Sequence, residues 1–160
     1  EYEVVTPGYK YNMMDIQAAI GIHQLKRLDE FIDKRKMLAD QYSELLKDCD
    51  YLKPLGKVHY PNKHAWHLYI VRLDIDKAGF TRDEFMRKLG EEKIGSGLHY
   101  TAIHFHKYYR EKYGYRSNDF PNSFFCSERI LSLPLFPSMK SEDQKRVVSA
   151  INNIISSEVI

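Results

Sequence analysis

Gly8, Lys10 and Asn12, at two-residue steps just ahead of an apolar-periodic run, are the residues of this chain best placed to hold an anion. The tetrad Tyr9-Lys10-Tyr11-Asn12 runs straight into Met13-Met14-Asp15-Ile16-Gln17-Ala18-Ala19, which reads as the opening of an amphipathic helix. The positive end of a helix dipole, its unpaired N–H groups, a Lys and an Asn together suit a phosphate. The same residues also fit a plainer role, with Asn12 as an ordinary helix cap and Lys10 as an exposed arm residue. A second grouping is Gly95-Ser96-Gly97-Leu98-His99-Tyr100. Its glycines either form a bulge or let the backbone approach a ligand, with His99 and Tyr100 offering hydrogen bonds to sugar hydroxyls or a diphosphate.

Other chemistries fare worse. Seven histidines invite a metal, and His99, His104 and His106 lie close in sequence, as do His59, His64 and His67. A zinc site needs three or four ligands converging on one point. His104 and His106, two apart, face different sides of a helix, and no HExxH is present. No metal is expected. A Cys–His nucleophile is equally poorly supported. Cys49 stands between Asp48 and Asp50, whose charges oppose a thiolate, and Cys126 follows Phe124-Phe125 as a core residue would.

The elements that must position these groups fit within one ordinary domain, which 160 residues can build. A net charge of +2, with both signs nearly balanced, offers no basic stripe for RNA or an anionic membrane. No apolar run approaches the ~20 residues that span a bilayer, and no segment reads as a signal peptide. Two cysteines without a CxxC point to a reduced, cytoplasmic setting. Twelve tyrosines are many for this length, and a Tyr-rich surface marks an interface or a polar ligand.

Apolar residues at three- and four-residue steps from Met13 to Lys47 predict one long helix, kinked or broken near Gly21, capped by Asn12 and reaching about 50 Å. Tyr51–Lys63 reads as a loop. Trp66–Leu73 predicts a central strand buried on both faces, Gly95–Tyr100 a second strand or extended segment, and Leu131–Pro137 an edge strand. Capping boxes at Thr81–Glu84 and Ser141–Gln144 open two helices, the first closed by Gly90. Shorter helices are expected over His104–Tyr113 and Asn122–Ile130. The pattern predicts an α+β fold: a small, mainly antiparallel three-stranded sheet covered by helices. The expected organisation is an arm over 1–12, a long linking helix over 13–48 and a small α+β domain over 49–160.

Several blocks, in order, resemble a known family along essentially the whole chain. They are Gly8-Tyr9-Lys10-Tyr11-Asn12 with Asp15–Ile20 and Gln24-Leu25, His64–Tyr69, Gly95–Tyr100, Lys107–Glu111 and Ser127–Pro137. The family is that of the DegT/DnrJ/EryC1/StrS nucleotide-sugar aminotransferases. The Gly-Tyr-Lys-Tyr-Asn and His-Ala-Trp-His-Leu wording is most similar to the branch that makes UDP-4-amino-4-deoxy-L-arabinose, a lipopolysaccharide sugar. The resemblance implies the carboxy-terminal part of a fold-type I homodimer with shared active sites. Such enzymes use pyridoxal 5'-phosphate to move an amino group from glutamate to a 4-keto nucleotide sugar. It implies that Lys10, Tyr11 and Asn12 reach the cofactor phosphate of the partner subunit, and that His99, Tyr100 and His104 meet the substrate. Lys10 stands where many members have Asn, and Asn12 where many have Arg. The family's Schiff-base lysine, in a Ser/His-rich turn before a Gly-Glu-Gly-Gly-like run, has no counterpart in these residues. The isolated chain is therefore expected to be inactive. The competing expectation is a non-enzymatic α+β module that uses its aromatic surface for protein partners.

Overall fold

The computed structural model describes residue 9, residues 11–56 and residues 58–158, with the backbone alone at 158. Three strands form one antiparallel sheet in the order β1 (Leu52–Pro54), β2 (Tyr69–Leu73), β3 (Ile130–Leu133). The register sets Leu52 against Leu73 and Val71 against Leu131. Because side chains alternate along a strand, this puts Leu52, Tyr69, Val71, Leu73, Leu131 and Leu133 into the core, none more than 3% exposed. Helices cover that face: α2 (Leu28–Leu45) with Leu38, Ala39 and Tyr42, α4 (Arg82–Glu91) with Phe85 and Leu89, and α7 (Ser141–Glu158) with Val147, Ile151 and Ile154. The α+β expectation, with its three-stranded antiparallel sheet under helices, is what the structure shows.

Local chemistry sets the boundaries. Thr81 Oγ1 accepts from the Glu84 N–H at 3.2 Å and Glu84 Oε2 accepts from the Thr81 N–H at 2.7 Å, the reciprocal box that starts α4. The four-residue α3 (Ile75–Ala78) stops at Gly79, whose φ of 74° places it in the left-handed region. Pro121 opens α6 (Pro121–Ser127) at a position where its missing N–H is not needed. Arg82 is only 7% exposed, and its Nη1 donates to the carbonyls of Ser127 (3.0 Å) and Ile130 (3.1 Å). One guanidinium thus ties α4 to the carboxy end of α6 and the start of β3. In the core the Tyr42 and Tyr69 rings stack at 4.9 Å, and burial pushes both phenols up from their ordinary range. The Tyr42 hydroxyl donates to the Pro134 carbonyl at 3.1 Å.

Several boundaries differ from the sequence-based expectation. The first helix is two helices, α1 (Asp15–Leu25) and α2, separated at Lys26-Arg27 rather than at Gly21, which lies inside α1. The division follows burial: α2 packs on the core, whereas α1 buries no residue. Met14, not Asn12, caps α1, its N–H donating to Gln17 Oε1 at 3.1 Å. The stretch read as a loop contains β1, whose Pro54 closes an edge strand where a missing donor is harmless. β2 begins at Tyr69 and is buried on one face, with Arg72 on the other face exposed. Gly95–Tyr100 adds no strand, only an isolated bridge from Gly97 to Ser132.

Further along, α6 ends at Ser127, where β3 is about to begin, and β3 itself ends at Leu133 before Pro134. The His104–Tyr113 helix is a short turn over Ile103–Phe105 followed by α5 (Lys107–Tyr113). Gly90 lies within α4, which closes at Glu92. At the start of α7 the Lys140 N–H donates to Asp143 Oδ2, while Gln144 is fully buried and donates to the Leu38 carbonyl. Cys126 is exposed, since the inward side of α6 is taken by Ser127.

The Thr81–Glu84 box carries a pH signature. Hydrogen bonds from the Thr81 N–H and hydroxyl hold the Glu84 carboxyl below its ordinary value of 4.5. A carboxyl lowered in the folded state adds stability that is present above its unfolded value and is lost as pH falls through the folded value. Glu84→Gln keeps the reach but removes the ionisation. Urea midpoints measured from pH 6 down to about pH 3 should fall less steeply for the variant than for the parent. Parallel curves would show that the box adds no pH-dependent stability.

Candidate functional site

The segment between Gly95 and Ala102 is fastened at two points to one stretch of chain, α6 and β3. The Gly97 N–H donates to the Ser132 carbonyl at 3.1 Å and the Ser132 N–H returns a bond to the Gly97 carbonyl at 2.7 Å. Five residues on, the Ala102 N–H donates to Ser127 Oγ at 2.9 Å. Between these pins stand His99 and Tyr100, joined by a cis peptide bond. His99 Nδ1 shares a hydrogen bond with Ser132 Oγ at 2.9 Å. The imidazole lies over Gly97 so closely that a Cβ there would come within 2.6 Å of His99 Cε1. This is the physical demand for glycine at 97. Tyr100 meets the His99 ring edge-on at 5.0 Å and is 73% exposed.

His104 is placed differently. It is 4% exposed, its Nε2 has no hydrogen-bond partner among the described residues, and its ring packs against Phe105 and Phe120. The structure therefore brings His99 and Tyr100 together at the surface and sets His104 beneath it. Lys10 lies outside the described residues. Tyr11 is 86% exposed, and Asn12 is exposed with no side-chain hydrogen bond to the described residues. Just beyond them α1 presents Ile16, Ile20, Ile22 and Leu25 to solvent. Its first-turn N–H groups have no acceptor within the helix, as at any helix start.

Ser132 and Ser127 escaped the sequence reading, although a Ser between Leu131 and Leu133 in a core strand was a signal that could have found the first. The Ser132–His99 pair is not a nucleophile and base. Ser132 is 4% exposed, and no carboxylate hydrogen-bonds to His99 among the described residues. The bond fixes the direction of the imidazole and leaves Tyr100 free to touch a ligand. Among the described residues no group of three or more His, Cys, Asp or Glu could hold a metal ion.

The structure thus presents a small α+β domain with an exposed helix start and a pinned His-Tyr loop. The particular family follows from comparison. Residues 1–152 match the model of the DegT/DnrJ/EryC1/StrS aminotransferase family, and the chain belongs to that family. It is 44% identical over 156 residues to the spore coat polysaccharide biosynthesis protein SpsC of Bacillus subtilis, covering 96% of this chain and 40% of that protein. The putative sugar aminotransferase Spr1654 of Streptococcus pneumoniae, in its PLP form, superposes with a TM-score of 0.86 at 25% identity, over all of this chain and 40% of its own. The same protein is also known in a PMP form. The aminotransferase TlmJ of Streptoalloteichus hindustanus gives 0.82 at 26% identity, over 98% of this chain and 40% of that one. The chain thus spans 40% of the length of these relatives.

Gly97→Ala tests the packing of this loop. The added methyl should push the imidazole off Ser132 and lower stability by about 1–3 kcal/mol, as overpacking does. Ser132→Ala removes the same hydrogen bond without the clash. Histidine nitrogen NMR should show His99 displaced in both variants, and thermal melts should show the larger loss in Gly97→Ala. An unmoved His99 signal in Gly97→Ala would contradict the geometry.

Proposed function

We propose that this chain is the carboxy-terminal part of a pyridoxal-phosphate-dependent aminotransferase that carries an amino group from glutamate to the 4-keto group of a nucleotide sugar. The observation that carries the reading is the arm: Tyr11 and Asn12 are exposed ahead of a helix that buries nothing. An isolated domain gains no stability from a helix whose apolar side chains face water. α1 therefore makes sense as a surface that something else covers, and the homodimer implied by the resemblance supplies it. The relatives' greater length is in keeping with this.

The residues fit the cofactor. A phosphate asks for unpaired N–H donors, a hydrogen-bonding amide and a cation, and the segment offers the first turn of α1, Asn12, Tyr11 and Lys10. In the working enzyme these would hold the phosphate of the partner subunit's cofactor. The bound cofactor supplies the electron sink for moving an amino group. This chain's residues do the holding and orienting. His99, fixed by Ser132, and exposed Tyr100 would hydrogen-bond the sugar or diphosphate of the substrate. His104 would act behind them. The lysine that anchors the cofactor belongs to a context these residues lack, so the 160 residues alone should not turn over substrate.

The finer reading, a UDP-linked 4-keto sugar bound for lipopolysaccharide or another envelope polysaccharide, rests on the Gly8–Asn12 and His64–Leu68 wording. SpsC, named for a spore coat polysaccharide, favours an envelope sugar without specifying the arabinose derivative. No helix among the described residues is long and apolar enough to cross a membrane, in keeping with the cytoplasm as the proposed setting.

The test uses the full-length protein. Lys10→Ala should raise the apparent Kd for pyridoxal phosphate about tenfold, since a charge-assisted hydrogen bond contributes ~1.5–3 kcal/mol. Asn12→Ala should have a smaller effect in the same direction. Absorbance titration reads both. A protein that is monomeric by size-exclusion and gives the same spectrum with and without cofactor would instead be the non-enzymatic interaction module.

A further inference from the structure

We propose that an aromatic cavity on the far side of His104 receives the base of the nucleotide sugar, a flat uncharged heterocycle held by stacking. This rests on the nucleotide-sugar reading and adds a place for the base. The cavity has a volume of about 520 Å³ and is walled by Ile103, His104, Tyr109, Tyr113, Tyr115 and Phe120, with Ser123 beside them. That size falls in the range of small-molecule sites, ~300–1,000 Å³, which are mostly apolar with a few polar groups.

The rings form one continuous wall. Tyr109 stacks on Tyr113 (6.2 Å) and Tyr113 on Tyr115 (5.5 Å). Tyr115 meets Phe120 edge-on at 5.1 Å, and Phe120 lies 5.1 Å from the His104 ring. Yet Tyr113 is 52% exposed, Phe120 42% and Tyr109 37%. Aromatic faces gathered around a hollow and left wet are the surface a flat apolar guest would cover. Stacking on such rings tolerates any base, because every base has a π face.

Two further observations narrow the guest. Among the described residues no Asp, Glu, Lys or Arg lines the cavity itself, though Lys112 Nζ stands 5.5 Å from the Tyr113 ring, and that lining suits an uncharged guest. His104, 4% exposed, carries a ring nitrogen without a partner among the described residues, and buried polar groups normally have one. A guest bearing its own hydrogen-bonding groups answers that deficit, as a base does and a purely apolar molecule does not. Reach also fits. His104 is four residues beyond Tyr100, so their Cα atoms are at most about 14 Å apart, and one extended ligand can touch Tyr100 with its diphosphate end and the cavity with its base. A proline-rich peptide also favours aromatic grooves, and the experiment includes it as the competing guest.

The experiment is saturation-transfer NMR and calorimetry on the full-length protein with uridine, thymidine, cytidine and guanosine, and with UDP- and dTDP-glucose. The variants are Tyr113→Ala, Tyr113→Phe and Tyr113→Leu, each checked by circular dichroism. The base protons should receive the strongest saturation. Affinity for the preferred nucleotide sugar should fall about tenfold in Tyr113→Ala, fall also in Tyr113→Leu, and survive in Tyr113→Phe. The His104 nitrogen signals should move on ligand addition. If a nucleotide sugar binds but neither alanine nor leucine at 113 changes its affinity, the cavity is not the base site and the aminotransferase reading stands. If no nucleotide sugar binds the wild type while pyridoxal phosphate does, both proposals lose their substrate. Binding of a proline-rich peptide at these rings, with no nucleoside bound, overturns the cavity assignment as well.

Discussion

Two serines in one stretch of chain hold the loop that carries His99 and Tyr100 in place. Ser132 pins Gly97 through paired backbone hydrogen bonds and aims His99 through its hydroxyl, while Ser127 holds the Ala102 N–H. The stretch that carries them is itself anchored. Val71 pairs with Leu131 across the sheet, and Arg82 reaches the carbonyls of Ser127 and Ile130. A short segment without regular structure would otherwise sample many conformations, at roughly 1–2 kcal/mol of entropy per residue ordered. Here the ordering is supplied by a fully packed core a few ångströms away, and the loop inherits its rigidity.

The remainder of the molecule divides by burial. The three strands with α2, α3, α4 and α7 share one hydrophobic core, with Tyr42, Tyr69, Phe85 and Ile151 at most 1% exposed. α1 and residues 11–14 bury nothing in that core, and Met13, Met14, Ile16, Ile20, Ile22 and Leu25 are all more than half exposed. The split at Lys26-Arg27 marks the line between a helix that packs on the core and one whose apolar side chains face solvent. Sequence pattern held only a hint of that line, since α1 is more apolar than α2 and its apolar residues are less confined to one side. Periodicity reports that a helix has a face to bury, not which molecule buries it.

That distinction explains what was legible. The fold class, the covering helices and the Thr81 capping box follow from local pattern and local chemistry, and the structure has them. The errors came where pairing over distance decides. β1 is three residues containing a Pro, too short to announce itself, and exists because β2 offers it an edge. Gly95–Tyr100 has the composition of a strand, but the His99 ring folded over Gly97 leaves room for one bridge only. The arm and the His-Tyr loop were visible as residue types. The serines that fix the loop were not, because their role depends on contacts 25 to 33 residues away.

The chemistry available to this stretch is that of holding, and the reason is the kind of partner each group has. His99 is bound by a neutral hydroxyl, and His104 lies against aromatic rings. Among the described residues the carboxylates that pair do so with Lys or Arg, as Glu30 and Asp40 along α2, Glu91 on α4 and Glu111 on α5, and none with either histidine. General acid–base work needs a titratable group set by a charged or desolvating neighbour within reach of substrate. An imidazole oriented by a serine hydroxyl beside an exposed phenol instead gives fixed hydrogen-bond directions. Rigid donors and acceptors on a packed domain, an exposed arm, and a wall of rings at one end all serve positioning. In a two-part active site such a domain places the substrate while the cofactor and its lysine act from the other part. On the function proposed above, a braced edge that orients groups needs no acid, base or nucleophile of its own.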